Sequence, residues 1–169
     1  MSANKQEQMT RTEAEDFLFA EACLLDQGEV NEWRRLFTDD ALYWLPYSRD
    51  VNVDPTKHVS IIYDDMEMLD ERIKRLQSGA CHAQIPGSRT QHSVNNVRVR
   101  TVGDAVIIDS YLTLHEYRAN RQDRFYPLQT MAANCEHKLV KEAGEWKMTS
   151  KKVVLLNCDG EIYDLSFLI

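Results

Sequence analysis

Trp33-Arg34-Arg35-Leu36-Phe37-Thr38-Asp39-Asp40-Ala41-Leu42-Tyr43-Trp44-Leu45-Pro46 is the stretch on which the fold turns. Val30, Trp33 and Phe37 fall at i, i+3 and i+7, one stripe of a helix running roughly from Val30 to Phe37. Thr38, Asp39 and Asp40 carry short polar side chains that bond nearby backbone, so they read as the turn that ends it. Leu42 and Trp44 then alternate with Tyr43 and Leu45 until Pro46, the period of a strand. A short helix folded onto the start of a curved sheet is one way to close a one-sided α+β cone. An ordinary helix-to-strand join gives the same pattern.

Outward from this stretch, helices precede it and strands follow. Thr12-Glu13-Ala14-Glu15 has the spacing of a capping box, and Phe17, Leu18, Ala22, Leu24 and Leu25 form an apolar stripe ending at Gly28. Residues Tyr47 to Lys57 form a long polar loop, and Val59 to Tyr63 a short apolar run suited to a strand. Met66, Leu69, Ile73 and Leu76 mark a third helix from about Asp64 to Leu76. Beyond Ser88 the pattern is sheet: Thr90 to Val102, with a bulge at Asn95-Asn96, then Ala105 to Arg118 after a Gly103-Asp104 turn. A charged loop, Ala119 to Arg124, leads to Tyr126 to Lys141, and Ala143-Gly144 turns that strand into Trp146 to Asn157. Strands much longer than about five or six residues normally survive by curling.

The chain of 169 residues suits one domain, with residues 1–11 expected as a flexible arm and 158–169 as a tail docking at an interface. The apolar tail from Ile162 to Ile169 has to pack on a neighbour or on its own sheet. A hydrophobic fraction of 43% and a charged fraction of 28% are ordinary for a globular protein. The net charge of -7 argues against a nucleic-acid partner, which requires a basic face. No stretch of about 18 apolar residues could form a membrane-spanning helix, and Met1 to Thr12 lacks a signal-peptide core. Cys23, Cys81, Cys135 and Cys158 are widely spaced, which suits reduced, mostly buried thiols in a cytoplasmic protein.

The order helix, helix, strand, helix, then long antiparallel strands resembles the cone-shaped α+β fold of nuclear transport factor and scytalone dehydratase. Four pieces sharpen it: Leu25-Asp26-x-Gly28; Trp33-x-x-Leu36-Phe37-x-Asp39-Asp40-Ala41-x-Tyr43-Trp44-x-Pro46; Ile61-Ile62-Tyr63-Asp64-Asp65; and Ser88-Arg89-Thr90-x-His92-x-x-x-Asn96-Val97. In this order they resemble the small (beta) subunit of bacterial aromatic-ring-hydroxylating dioxygenases, and Ile61 to Arg75 resembles the branch acting on benzoate-like substrates. The resemblance implies a strongly curved sheet with about three helices on its concave face. It also implies a non-catalytic chain that organises large (alpha) subunits, in a hexamer of three large and three small subunits. On that reading the large subunit holds a Rieske 2Fe-2S cluster and a mononuclear non-haem iron.

The residues agree with that division of labour. A Rieske cluster needs both a Cys-x-His and a Cys-x-x-His pair; Cys135-Glu136-His137 has the first spacing, but none of the four cysteines has a histidine three residues after it. His58, His82, His92, His115 and His137 are scattered singly, no helix carrying the two histidines of a facial iron triad. With six glycines and no Gly-x-Gly-x-x-Gly, a dinucleotide fingerprint is missing too. No catalytic, cofactor-binding or metal-ligating residue is therefore expected in this chain.

Cone folds also house stand-alone dehydratases and isomerases, whose pocket pairs an Asp or His base with tyrosines. Asp26, Tyr43, His92, Asp109, Tyr111 and His115 supply those residue types, and Asp109, Tyr111, Thr113, His115 and Tyr117 share one strand face. That face is either a pocket wall or a surface packed on another subunit. A non-enzymatic scaffold of the transport-factor kind would instead be a homodimer. Arg72, Lys74 and Arg75 read as the solvated side of the third helix, and Arg118, Arg121 and Arg124 as a solvated basic tip. Trp33, Trp44 and Trp146 read as core, and His92 as an interface or bulge histidine.

Overall fold

The helix that opens the chain sets the direction of everything after it. In the computed structural model, which describes residues 8–50, 52–79, 81–119 and 127–169, α1 runs Arg11–Asp26. Its capping box is Thr10 with Glu13, two residues ahead of the expected Thr12 with Glu15. Thr10 Oγ1 accepts from the Glu13 amide at 3.2 Å, and Glu13 Oε2 accepts from the Thr10 amide at 2.7 Å. Both spacings fit the motif, but the earlier register places Met9 and Ala14 as a hydrophobic staple, and both are buried in the core. Met9, Thr10 and Arg11, expected within the flexible arm, instead form this cap and the start of α1, and residues 1–7 lie outside the described residues. At the other end Gly28, with φ +74°, lets the Gly28 and Glu29 amides return to the Leu25 and Leu24 carbonyls, a Schellman stop.

The second helix, α2, spans Val30–Arg34 and is shorter than the sequence suggested. Strand β1, Phe37–Pro46, has already begun where Thr38-Asp39-Asp40 was expected to make a turn. The polar trio sits where β1 slips register against its neighbour, between Phe37 and Leu42, and Thr38 Oγ1 donates to Asp40 at 2.8 Å. Its composition signals an irregularity correctly, but the irregularity is a bulge inside a strand rather than a helix end. Strand β2, Ser60–Asp65, leads directly into α3, Met66–Gln77, whose N-cap Asp65 accepts from the Met68 amide.

Four long strands complete the fold: β3 Arg89–Val102, β4 Ala105–Tyr117, β5 Leu128–Glu142 and β6 Glu145–Leu155. They form one six-stranded sheet in the order β2-β1-β6-β5-β4-β3. The β1–β6 pair is parallel, and the other four are antiparallel. The bulge expected at Asn95-Asn96 is present: register shifts between Asn95 and Arg98, and Asn96 takes φ +54°. Most of Ala119–Arg124, with Arg121 and Arg124, lies outside the described residues.

Alternation divides the sheet into two faces. Ile108, Leu112 and Leu114 of β4, Ala133, Cys135 and Leu139 of β5, and Val153 and Leu155 of β6 are buried toward the helices. Trp33, Tyr43 and Leu18 join them in one core. The end of the tail packs into this chain's own interior: Phe167, Leu168 and Ile169 are buried, and the Tyr43 hydroxyl donates to the Ile169 carbonyl and accepts from its amide, both at 3.2 Å.

Candidate functional site

The polar chemistry of the chain gathers on the inner face of the sheet. On α1, Ala14, Leu18, Glu21 and Leu25 are the buried residues, so a carboxylate occupies a position of the apolar stripe. Glu21 Oε1 accepts from Lys151 Nζ of β6 at 2.7 Å and from Trp33 Nε1 at 3.0 Å, and His137 Nε2 of β5 lies 3.1 Å from Oε2. Burial alone would raise the Glu21 pKa; the Lys151 ammonium and His137 more than reverse this and hold it well below the usual carboxylate range. Lys151 also stands 5.5 Å from the centre of the Trp33 ring.

At the end of the same helix Asp26 binds β3. It accepts from the Thr90 hydroxyl at 2.9 Å and the His92 amide at 3.0 Å, and meets His92 Nδ1 at 2.5 Å. The His92 side chain is 2% exposed, and burial lowers its pKa although Asp26 opposes the shift. The expectation of an interface or bulge histidine is thus corrected: His92 precedes the bulge and faces inward. Between these two groups lies a cavity of about 20 Å³. A volume of that size holds one water, not an organic substrate.

A second buried network fastens the tail. Arg118, only 2% exposed, ion-pairs with Glu116 at 3.3 Å and Asp164 at 2.7 Å and donates to the Ser166 hydroxyl at 2.7 Å. Ser88 donates to Glu116, and Gln84 bridges Ser88 and Ser166. Arg118 is therefore a buried clamp and not the solvated tip its neighbours in sequence suggested. Arg72 is likewise corrected: it grips buried Asp64 through two hydrogen bonds of 2.7 and 3.1 Å, whereas Lys74 does stay exposed, paired with Glu71.

The outer face holds the rest of the candidate set. Asp109, Tyr111, Thr113, His115 and Tyr117 alternate with buried neighbours and point away from the helices. Asp109 and Glu136 share Arg100, at 2.9 and 2.7 Å, and His115 Nδ1 meets Thr130 at 2.9 Å. A groove of about 330 Å³ crosses this face, lined by Arg98, Asp109, Tyr111, Asn134, Glu136 and Lys152 among others. Trp44 is buried there with Lys152 over its ring and Tyr63 at its edge, and Trp146 is only partly covered.

The structure thus splits the proposed Asp/His/Tyr pocket. Asp26 and His92 meet inside, Tyr43 is committed to Ile169, and Asp109, Tyr111 and His115 lie across the sheet. Sequence pattern leaves Glu21, Lys151 and Glu116 unmarked and reads Arg118 as a solvated tip and His137 as a lone histidine; the available signal was their placement in register with Leu18, Leu139, Val153 and Leu114. Of the four free cysteines only Cys135 and Cys158 are buried, Cys81 is half-buried and Cys23 exposed, fewer covered than expected. Among the described residues no three His, Cys, Asp or Glu side chains converge as metal ligands, so those residues do not offer the ligand set of a Rieske cluster or an iron triad. None of the described helices is long and apolar enough to cross a membrane.

Comparison with known proteins bears on the whole chain. The profile of the ring hydroxylating beta subunit family matches residues 20–159. The chain is 30% identical over 150 residues, 87% of its own length and 79% of the relative's, to the small oxygenase component of the p-cumate 2,3-dioxygenase system of Pseudomonas putida. It is similarly 30% identical over 149 residues to the beta subunit of toluate 1,2-dioxygenase of Pseudomonas putida, covering 84% of this chain and 87% of that one. The crystal structure of the beta subunit of benzoate 1,2-dioxygenase from Burkholderia mallei shares the fold, with a TM-score of 0.74 over 96% of this chain and 99% of that chain at 22% identity.

Proposed function

The chain belongs to the ring hydroxylating beta subunit family, and from that premise we propose that it is a non-catalytic organiser of large oxygenase subunits acting on an aromatic acid. The observation that carries the non-catalytic part is the filled interior. Where a cone-fold dehydratase keeps a substrate chamber, this chain places the Glu21–Lys151–His137 cluster and a cavity of about 20 Å³. Asp26 and His92 form the only Asp–His contact among the described candidates, and His92 lines that same cavity, which leaves no room for a substrate.

The outer face is the surface we assign to subunit contact. It combines exposed Tyr111, Tyr117, Leu128 and Leu156 with arginines, the tyrosine and arginine mixture that interfaces favour. In this reading the partner holds the Rieske cluster and the mononuclear iron and adds both atoms of dioxygen to the ring. The small subunit keeps those centres in fixed geometry, since a shift of about 1 Å is already costly to positioned chemistry. A cytoplasmic assembly of three large and three small subunits is the form we propose.

Co-expression with a large subunit carrying Cys-x-His pairs is the test. The two chains are expected to co-purify in equal numbers, with iron in the complex and none in the small chain alone. Turnover of hydroxy or carbonyl substrates by the isolated chain, lost on His92→Gln, would refute the proposal.

A further inference from the structure

Two buried imidazoles with unpartnered nitrogens line the same small space. His92 Nε2 and both ring nitrogens of His137 make no hydrogen bond within this chain, although His137 Nε2 lies 3.1 Å from Glu21 Oε2, and the two side chains are 2% and 3% exposed. Both residues line the cavity of about 20 Å³ between α1 and the sheet, with Ser110, Cys135, Glu21 and Lys151 completing its polar wall. A buried polar atom left without a partner costs roughly 1–3 kcal/mol, so native proteins rarely leave two together. We infer that this cavity is a binding site for one neutral molecule the size of water, which bridges His92 and His137.

The chemistry of the wall selects that ligand. Asp26 occupies His92 Nδ1 and holds the proton there, so Nε2 presents a lone pair and requires a donor. His137 Nε2 faces the Glu21 carboxylate, leaving Nδ1 for the cavity. Water donates to His92 and meets His137 as donor or acceptor according to that ring's proton. The Ser110 hydroxyl, on the cavity wall, is placed to supply a third partner, the usual number for a buried water. A metal ion is disfavoured at the same nitrogens. The Lys151 ammonium lines the cavity, and burial pushes the Cys135 thiol up to about 12, so it offers no thiolate. Two heavy atoms would exceed a space about one probe sphere across.

Once bound, this molecule joins two otherwise separate contacts. The Asp26–His92 pair ties α1 to β3, and the Glu21–His137–Lys151 cluster ties α1 to β5 and β6. The bridge closes them into one network across the concave side of the sheet.

A crystal structure of the full chain at better than about 1.5 Å tests the site directly. One peak is expected within about 2.7–3.2 Å of His92 Nε2. A cavity without density, or an anomalous signal from a metal, would overturn the inference. A second measurement uses Val94→Ile, which adds one methylene beside His92. If the space holds water, the added carbon displaces it and the thermal midpoint falls. If the cavity is dry, the same carbon fills it and the midpoint rises, which would equally overturn the inference.

Discussion

Lys151→Met is the substitution that most directly probes the interior. It keeps much of the aliphatic stem but removes the ammonium 2.7 Å from Glu21. Glu21 then remains charged and buried with the Trp33 indole N–H and His137 as its partners. Removing one member of a buried ion pair costs about 3–5 kcal/mol, because the remaining charge is desolvated without compensation. Against a total stability of about 5–15 kcal/mol this is a large fraction. For a chain of this size it corresponds to a midpoint lower by roughly 6–20 °C. Adding Glu21→Gln removes the stranded charge while leaving an acceptor for Trp33, so the double variant is expected to be more stable than Lys151→Met alone. Urea unfolding of the isolated subunit, with the slope m checked for constancy, measures both. A Lys151→Met loss under about 1 kcal/mol, or a double variant less stable than the single one, would refute the assignment of this cluster as a coupled charged unit.

Three further outcomes follow from other parts of the molecule. Deleting Phe167 to Ile169 removes three buried apolar side chains worth about 1.5–3 kcal/mol each, and leaves the Tyr43 hydroxyl unpaired; the monomer itself is expected to unfold in circular dichroism, rather than merely to release its partners. Acidification is expected to destabilise the fold in two stages. Burial holds His92 below 6.5, so the unfolded chain takes up a proton that the folded one refuses, and stability falls as pH drops below that value; Glu21, depressed from 4.5, adds a further loss below 4.5. The urea midpoint of wild type should therefore decline between about pH 7 and pH 5, and that of His92→Gln should decline less. Tyr111→Glu places a carboxylate on the exposed outer face; the thermal midpoint is expected to stay within the change of about 0.5 kcal/mol usual for surface sites, while recovery of the large subunit in co-purification drops. Unchanged recovery would remove this face from the proposed contact.

The fold was legible because periodicity is set by burial, and burial here is orderly. The hairpin at Gly103-Asp104, the bulge at Asn95-Asn96 and the α3 stripe of Met66, Leu69 and Ile73 all appear where local pattern puts them. Local pattern failed where a side chain's partner is remote in sequence. Arg118 sits before a charged loop, yet its carboxylate Asp164 comes from the tail. Arg72 lies on a helix face that looks solvated, yet Asp64 is folded back beneath it. Glu21 and Lys151 are 130 residues apart, and neither announces the other. A charge on an apolar stripe looks like noise until the fold supplies its counter-charge.

That failure is itself informative about what the interior does. Apolar residues of similar volume at Glu21, His137 and Lys151 would fill the same space without a desolvation penalty, so the cluster is not the cheapest way to close the sheet. Its directional contacts instead fix α1 at one height and one rotation against β5 and β6, where an all-aliphatic core would tolerate sliding. Asp26 fixes the end of the same helix on β3, and Arg118 fixes the tail on β4. Each of these clamps lies on the inner face, and together they stiffen the sheet from behind, leaving the outer face of Tyr111, Arg98 and Lys152 free to meet other chains. The task proposed for this subunit, holding reacting centres at constant separation, requires that rigidity, and substrate binding inside the cone would have to give it up.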